Sequence, residues 1–165
     1  MSFPKAATAV LFLCISAECV CAQQGLFGLT LGMKRHDALL ILHKPGNALK
    51  NIPFHLGRQI FADTIPITFC NLLFRRSIGF DTTGKLTAIG LTYQTTPGQI
   101  KKARDCTLQW LTNTFGPAAR EDTKDNVTHD VWMLGPAKLT LEAKAYNSHD
   151  SFVLIYYYSA KETLP

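Results

Sequence analysis

At 165 residues, with 47% hydrophobic and 18% charged side chains, the chain has the composition of a single globular domain or of two small repeated units sharing a core. That balance excludes an intrinsically disordered chain and a multi-span membrane bundle. A net charge of +5 comes without any basic cluster longer than a pair (Lys34-Arg35, Arg75-Arg76, Lys101-Lys102), so the phosphate-neutralising stripe needed to bind nucleic acid is missing.

The N-terminus reads as an export signal. Lys5 is followed by the apolar run Ala6 to Ile15, and Val20-Cys21-Ala22 offers a small-residue cleavage site before Gln23. The run is too short for a spanning helix, which needs about 20 apolar residues, so no stable membrane span is expected after cleavage. None of Cys14, Cys19 and Cys21 follows the Gly, Ala or Ser expected before a lipidated cysteine. This predicts a periplasmic or secreted protein with residues 1–22 removed.

The folded part opens on Gly25-Leu-Phe-Gly-Leu-Thr-Leu-Gly-Met33, a glycine-rich lead-in to a helix that starts at Lys34 and is stopped by Pro45-Gly46. Ala38, Leu39, Leu40, Ile41 and Leu42 cover most of that helix, which predicts that it is wedged between other elements. Residues 46 to 60 read as irregular, punctuated by Gly46, Pro53 and Gly57. Strands are predicted over Ala62 to Phe69 and Asn71 to Asp81, the second with Leu72, Phe74, Ile78 and Phe80 on one face. Arg76 interrupts that face and implies a bulge, an edge position or a functional guanidinium, the first two being favoured. Asp81-Thr-Thr-Gly84 is a turn, and Lys85 to Gln94 returns as a strand.

The second helix runs from about Gly98 to Phe115. Ile100, Ala103, Leu108, Trp110, Leu111 and Phe115 fall on one arc of about 160°. After Gly116-Pro117 a polar loop reaches Asn126, and strands follow over Val127 to Leu134, Ala137 to Tyr146 and Ser151 to Ser159. The middle one alternates Leu139, Leu141, Ala143 and Ala145 against Lys138, Thr140, Glu142 and Lys144, the mark of a half-exposed antiparallel strand. The last is apolar on both faces and is expected to be central. Pro45 and Pro117 share a 72-residue offset with Leu39 and Leu111, a weak internal repeat. The expected fold is α+β: tandem helix–three-strand units with an antiparallel sheet packed against the helices, residues 23–97 forming the first unit and 98–165 the second.

Chemistry is sparse. His36-Asp37, His129-Asp130 and His149-Asp150 do not make a metal or acid–base site: His36 and His43 stand about 10 Å apart along a helix, and adjacent strand residues point to opposite faces. Nucleophile motifs are missing, and Gly28-x-x-x-Gly32 completes no phosphate or dinucleotide pattern. No catalytic residue, metal ligand or cofactor is assigned, and the expectation is that the chain is not an enzyme. Cys70 and Cys106 survive signal removal; an even pair in an oxidising compartment points to a disulfide between the first unit and the second helix, against two separate buried thiols. Asn126-Val-Thr128 is a glycosylation sequon only in a eukaryotic secretory host. What remains is surface. If Val131 and Met133 face the core, Trp132 faces out, and Tyr146, Tyr157 and Arg75 join it as candidate anchors for a protein partner, unless helices cover them.

Gly28-Leu-Thr-Leu-Gly-Met33, followed by a short helix and Lys44-Pro45, resembles the opening of a group of exported bacterial α+β proteins. The group includes the SmpA/OmlA-like outer-membrane assembly family and the tandem-repeat β-lactamase inhibitory proteins. Phe115-Gly116-Pro117 resembles the helix ending of a second unit, and Phe80-Asp-Thr-Thr-Gly-Lys-Leu86 a hairpin those families carry. Lys44 stands where a Gly is usual, and the lipidation cysteine is missing. The resemblance implies a helix-on-sheet module used for binding proteins. The expected function is thus an exported, non-catalytic binding protein, of inhibitor or immunity type, engaging a partner through its sheet. An envelope-assembly accessory protein is the alternative, and a small hydrolase the third.

Overall fold

The computed structural model describes residues 25–43, 49–55, 58–124 and 127–160. The signal segment 1–22, the helix stop at Pro45-Gly46, Asn126 and the tail from Lys161 lie outside the described residues. Among the described residues two helices, α1 (Arg35–Leu42) and α2 (Ile100–Phe115), accompany nine strands. These are β1 (Leu49–His55), β2 (Arg58–Asp63), β3 (Ile67–Phe69), β4 (Leu72–Phe80), β5 (Leu86–Thr95), β6 (Arg120–Lys124), β7 (Val127–Leu134), β8 (Ala137–Ala145) and β9 (Ser151–Ser159). The fold is α+β, with one antiparallel sheet ordered β1-β2-β4-β5-β9-β8-β7-β6 and β3 paired to β4.

The order is symmetric. Each helix precedes strands that step inward from an edge, and β5 and β9 meet at the centre, paired from Ala88↔Tyr158 to Thr95↔Ser151. The central place expected for the last strand is where β9 sits. Two expectations are corrected. The stretch read as irregular contains β1 and the first half of β2, and the polar loop before Asn126 contains β6. β1 and β6 are outermost in the order, where a strand needs little of the apolar alternation that marks buried ones. The single strand expected over 62–69 is also divided, at Thr64-Ile-Pro66, because proline cannot donate to a ladder.

Both helices lie on one face. Toward them point Phe61, Phe74, Ile78, Phe80, Ile89, Leu91, Leu139, Leu141, Ile155 and Tyr157, all buried. Helix α2 contributes Ala103 and Leu111, as its apolar arc predicts, together with buried Thr107, whose hydroxyl donates back to the Ala103 carbonyl at 2.8 Å. Helix α1 buries only Ala38 and Leu42 among the described surroundings, leaving Leu40 61% and Ile41 41% exposed. The wedged helix expected from its composition is therefore a half-covered one, since an eight-residue helix turns only part of its surface to the sheet.

Arg76 points to the helix face without a bulge beside it, and β4 lies inside the sheet. Its guanidinium pairs with Asp63 of β2, Nε donating to Oδ2 at 2.6 Å, with the carboxylate side chain 2% exposed. A charge on an apolar face is thus explained by a buried partner on the neighbouring strand. The β4–β5 ladder does shift register, at Gly79/Phe80.

The glycine-rich opening is backbone geometry. Phe27 (φ 54°) and Gly28 (φ 80°) form a left-handed tight turn closed by reciprocal bonds between Leu26 and Leu29 at 2.9 and 3.2 Å. The chain then joins the start of β5, Gly32 N–H donating to Leu86 O at 2.7 Å and Leu86 N–H to Met33 O at 2.8 Å. Phe27 lies parallel to Trp110 of α2 with ring centroids 5.6 Å apart, so the turn bridges the two helices' territories.

Candidate binding face on the open side of the sheet

Among the described residues no helix packs on the opposite face. Cross-strand register defines it: Lys138↔Tyr158, Thr140↔Tyr156, Glu142↔Leu154 and Lys144↔Phe152 between β8 and β9. It continues as Ala88↔Tyr158, Gly90↔Tyr156, Thr92↔Leu154 and Gln94↔Phe152 between β5 and β9. Small residues of β5 thus flank an aromatic stripe along β9. A Cβ on Gly90 would stand 2.7 Å from Ser77 Oγ and in ordinary contact, 3.8 Å, with the Tyr156 ring, so the absent side chain is what lets the Ser77 hydroxyl come this close to β5.

The stripe ends at an exposed aromatic corner. Tyr146, 59% exposed, meets Phe152 edge to face at 5.2 Å, with Lys144 Nζ 4.9 Å from its ring centre. The loop carrying it is braced. Asn147 Oδ1 accepts the backbone N–H groups of His149 and Asp150, each at 2.7 Å, and Gln94 of β5 donates to Asp150 Oδ1 at 3.0 Å. Beside Phe152 runs a groove of about 490 Å³ lined by Pro66, Leu73, Arg75, Thr92 and Gln94.

The charge on this side is mainly positive. Arg75, Lys138 and Lys144 project from it, Lys138 lying 5.8 Å from the Tyr158 ring centre. Glu142 faces His129 across β7 and β8 at 3.3 Å. Burial, with Glu142 and Tyr146 nearby, pushes the Tyr156 phenol above its ordinary value, which keeps it neutral. The Thr140 hydroxyl beside it is buried without a hydrogen-bond partner among the described residues.

Of the four candidate anchors, the structure brings two together and removes two. Arg75 and Tyr146 flank the same Phe152, both exposed. Trp132 is 2% exposed on the helix face, its indole N–H donating to the Gly116 carbonyl at the end of α2 at 2.8 Å. Met133, expected inside, is 54% exposed instead. Tyr157 is likewise buried beneath the helices. The sequence reading missed Phe152 and Tyr156 as surface. The signal was available in the polar side of β8, whose even-numbered residues pair with the even-numbered residues of β9.

His129 and Asp130 diverge as adjacent strand residues must; Asp130 lies on the helix face and accepts from Arg104 Nη2 at 2.7 Å. No group of three metal-ligating side chains occurs among the described residues. Cys70 and Cys106 do meet, but as free thiols, so the expected bridge is replaced by a contact between them. No helix among the described residues is long and apolar enough to cross a membrane.

No protein-family model matches the chain, and no curated protein matches it. A solved structure of a DUF4309 family protein (YjgB) from Bacillus subtilis subsp. subtilis str. 168 is similar at 13% identity, over 80% of this chain and 82% of that one, with a TM-score of 0.41.

Proposed function

We propose that this chain is an exported, non-catalytic binding protein, of inhibitor or immunity type, that engages an acidic protein surface through the open face of its sheet. The observation carrying this reading is the corner where Tyr146 and Phe152 stand edge to face between Lys144 and Arg75 on a braced loop. Aromatic side chains held on rigid backbone lose little entropy on docking, and with arginine they are the usual anchors of protein interfaces. Excess positive charge favours an acidic partner and speeds the encounter. The export segment read at residues 1–22 supports a partner in the periplasm or outside the cell.

Capture from an envelope fraction with the full chain as bait, followed by mass spectrometry, tests the proposal. The expected result is a partner whose binding falls at least about tenfold in Tyr146→Ala and in Arg75→Glu, and falls again as salt is raised. A partner bound equally well by both variants would place the interface elsewhere and overturn the reading.

A further inference from the structure

The β3–β4 hairpin closes through two residues, Cys70 (φ 54°) and Asn71 (φ 56°), between the paired Phe69 and Leu72. Two consecutive left-handed residues make a turn that favours Asn and Gly; a cysteine in the first place costs backbone energy. What that position does is aim Cys70 at α2. Its Sγ donates to the Cys106 carbonyl at 3.1 Å, and Cys106 Sγ approaches the Cys70 carbonyl at 4.0 Å. Each sulfur therefore lies against the other residue's backbone, across 36 positions of sequence. Both sides are held: Phe69, adjacent to Cys70, packs on Phe74 at 4.2 Å and on Trp110 of α2 at 4.9 Å.

We propose that Cys70 and Cys106 form a closable dithiol, a modification site at which exchange with an external disulfide of the glutathione or thiol-oxidoreductase class fastens the β3–β4 hairpin to α2. One protein thiolate attacks the donor S–S bond, giving a mixed disulfide and one donor thiolate. The second protein thiolate attacks the protein sulfur of that mixed disulfide, and the remaining donor thiolate leaves. Two protein thiols are oxidised, the donor is reduced to two thiols, and the two protons pass to it. Desolvation, reinforced by the neighbouring Cys106, pushes the Cys70 thiol up to about 12. Thiolate is therefore scarce at Cys70 near neutrality, and closure quickens as pH rises.

The test takes the reduced full chain, incubates it with oxidised glutathione, quenches with an alkylating reagent and maps peptides without reduction. The expected result is a Cys70–Cys106 cross-linked pair two hydrogens lighter than the free peptides. It comes with an unfolding midpoint about 5–10 °C above the reduced protein, reversed by dithiothreitol. Cys70→Gly suits the left-handed turn and keeps the hairpin, so it should fold and show no oxidation-linked shift. Both cysteines recovered alkylated, or carrying only glutathione, would overturn the proposal. So would a midpoint unchanged by the bridge.

Discussion

Strand β9 presents Ser151, Val153, Ile155 and Tyr157 to the helices, and Phe152, Leu154, Tyr156 and Tyr158 to the other side. Both sets are largely apolar, yet their neighbours differ. Under the helices they meet Leu91, Leu139 and Leu141 and are closed over by α2. On the open side they meet Gly90, Thr140, Lys138 and Lys144, and the sheet's own small and cationic side chains are the described cover. The first arrangement gains stability by removing apolar area from water. The second leaves an aromatic corner exposed beside positive charge, a state that is improved by a partner.

The contrast can be broken at several points. Trp132→Ala should cost about 3–5 kcal/mol, because it empties a large core site under α2. Tyr146→Ala on the opposite face should change stability by no more than about 0.5 kcal/mol while reducing partner binding. Urea titration of both variants checks the pair. If Tyr146→Ala is as destabilising as Trp132→Ala, the open face is a core.

Asp63→Ala should cost about 3 kcal/mol by leaving the Arg76 guanidinium in the core without its carboxylate. Adding Arg76→Met should recover most of that loss in the same titration. Gly90→Val should cost about 1–3 kcal/mol, since the added side chain meets Ser77 Oγ and crowds Tyr156. Its near-ultraviolet circular dichroism should report the displaced ring, and partner binding should weaken with it.

The smallest effect lies in the β4–β5 turn. The Asp81 carboxylate accepts from Lys85 N–H at 2.9 Å, from Thr83 N–H at 2.8 Å and from the Thr83 hydroxyl at 2.7 Å. The bond from the Lys85 N–H leads in holding its pKa below the ordinary carboxylate value. A depressed folded pKa contributes stability above the unfolded value of about 3.9, lost as pH falls through the folded one. Asp81→Asn should therefore lower the neutral plateau of the stability–pH curve slightly, leave stability below the folded pKa little changed, and so flatten the acid limb. An acid limb identical to that of the unmodified chain would count against the turn's contribution.

Much of the architecture is legible in the sequence because its signals are local. Turn residues at Asp81-Thr-Thr-Gly84 and Leu134-Gly-Pro136, and alternation along β8, are properties of short windows, and the strands they delimit are present. Residues 49–60 and 120–124 lack such signals and owe their strand conformation to pairing: β1 on β2, β2 on the distant β4, and β6 on β7. The contact between Cys70 and Cys106 is foreshadowed by their count, whereas their thiol state in this structure is not.

By itself, then, the sequence determined two helices, the central strand, an α+β class and a chain poor in catalytic motifs. The tertiary structure alone decided which side of β7 and of β9 faces the helices. Strand side chains alternate with a period of two, so a parity error of one residue exchanges core and surface. Trp132 and Met133 show this: adjacent and both apolar, they are ordered only by the pairing Trp132↔Leu139 and by the Gly116 carbonyl that receives the indole N–H. The same parity places Tyr156 outside and Tyr157 inside, and with them the position of the candidate binding face.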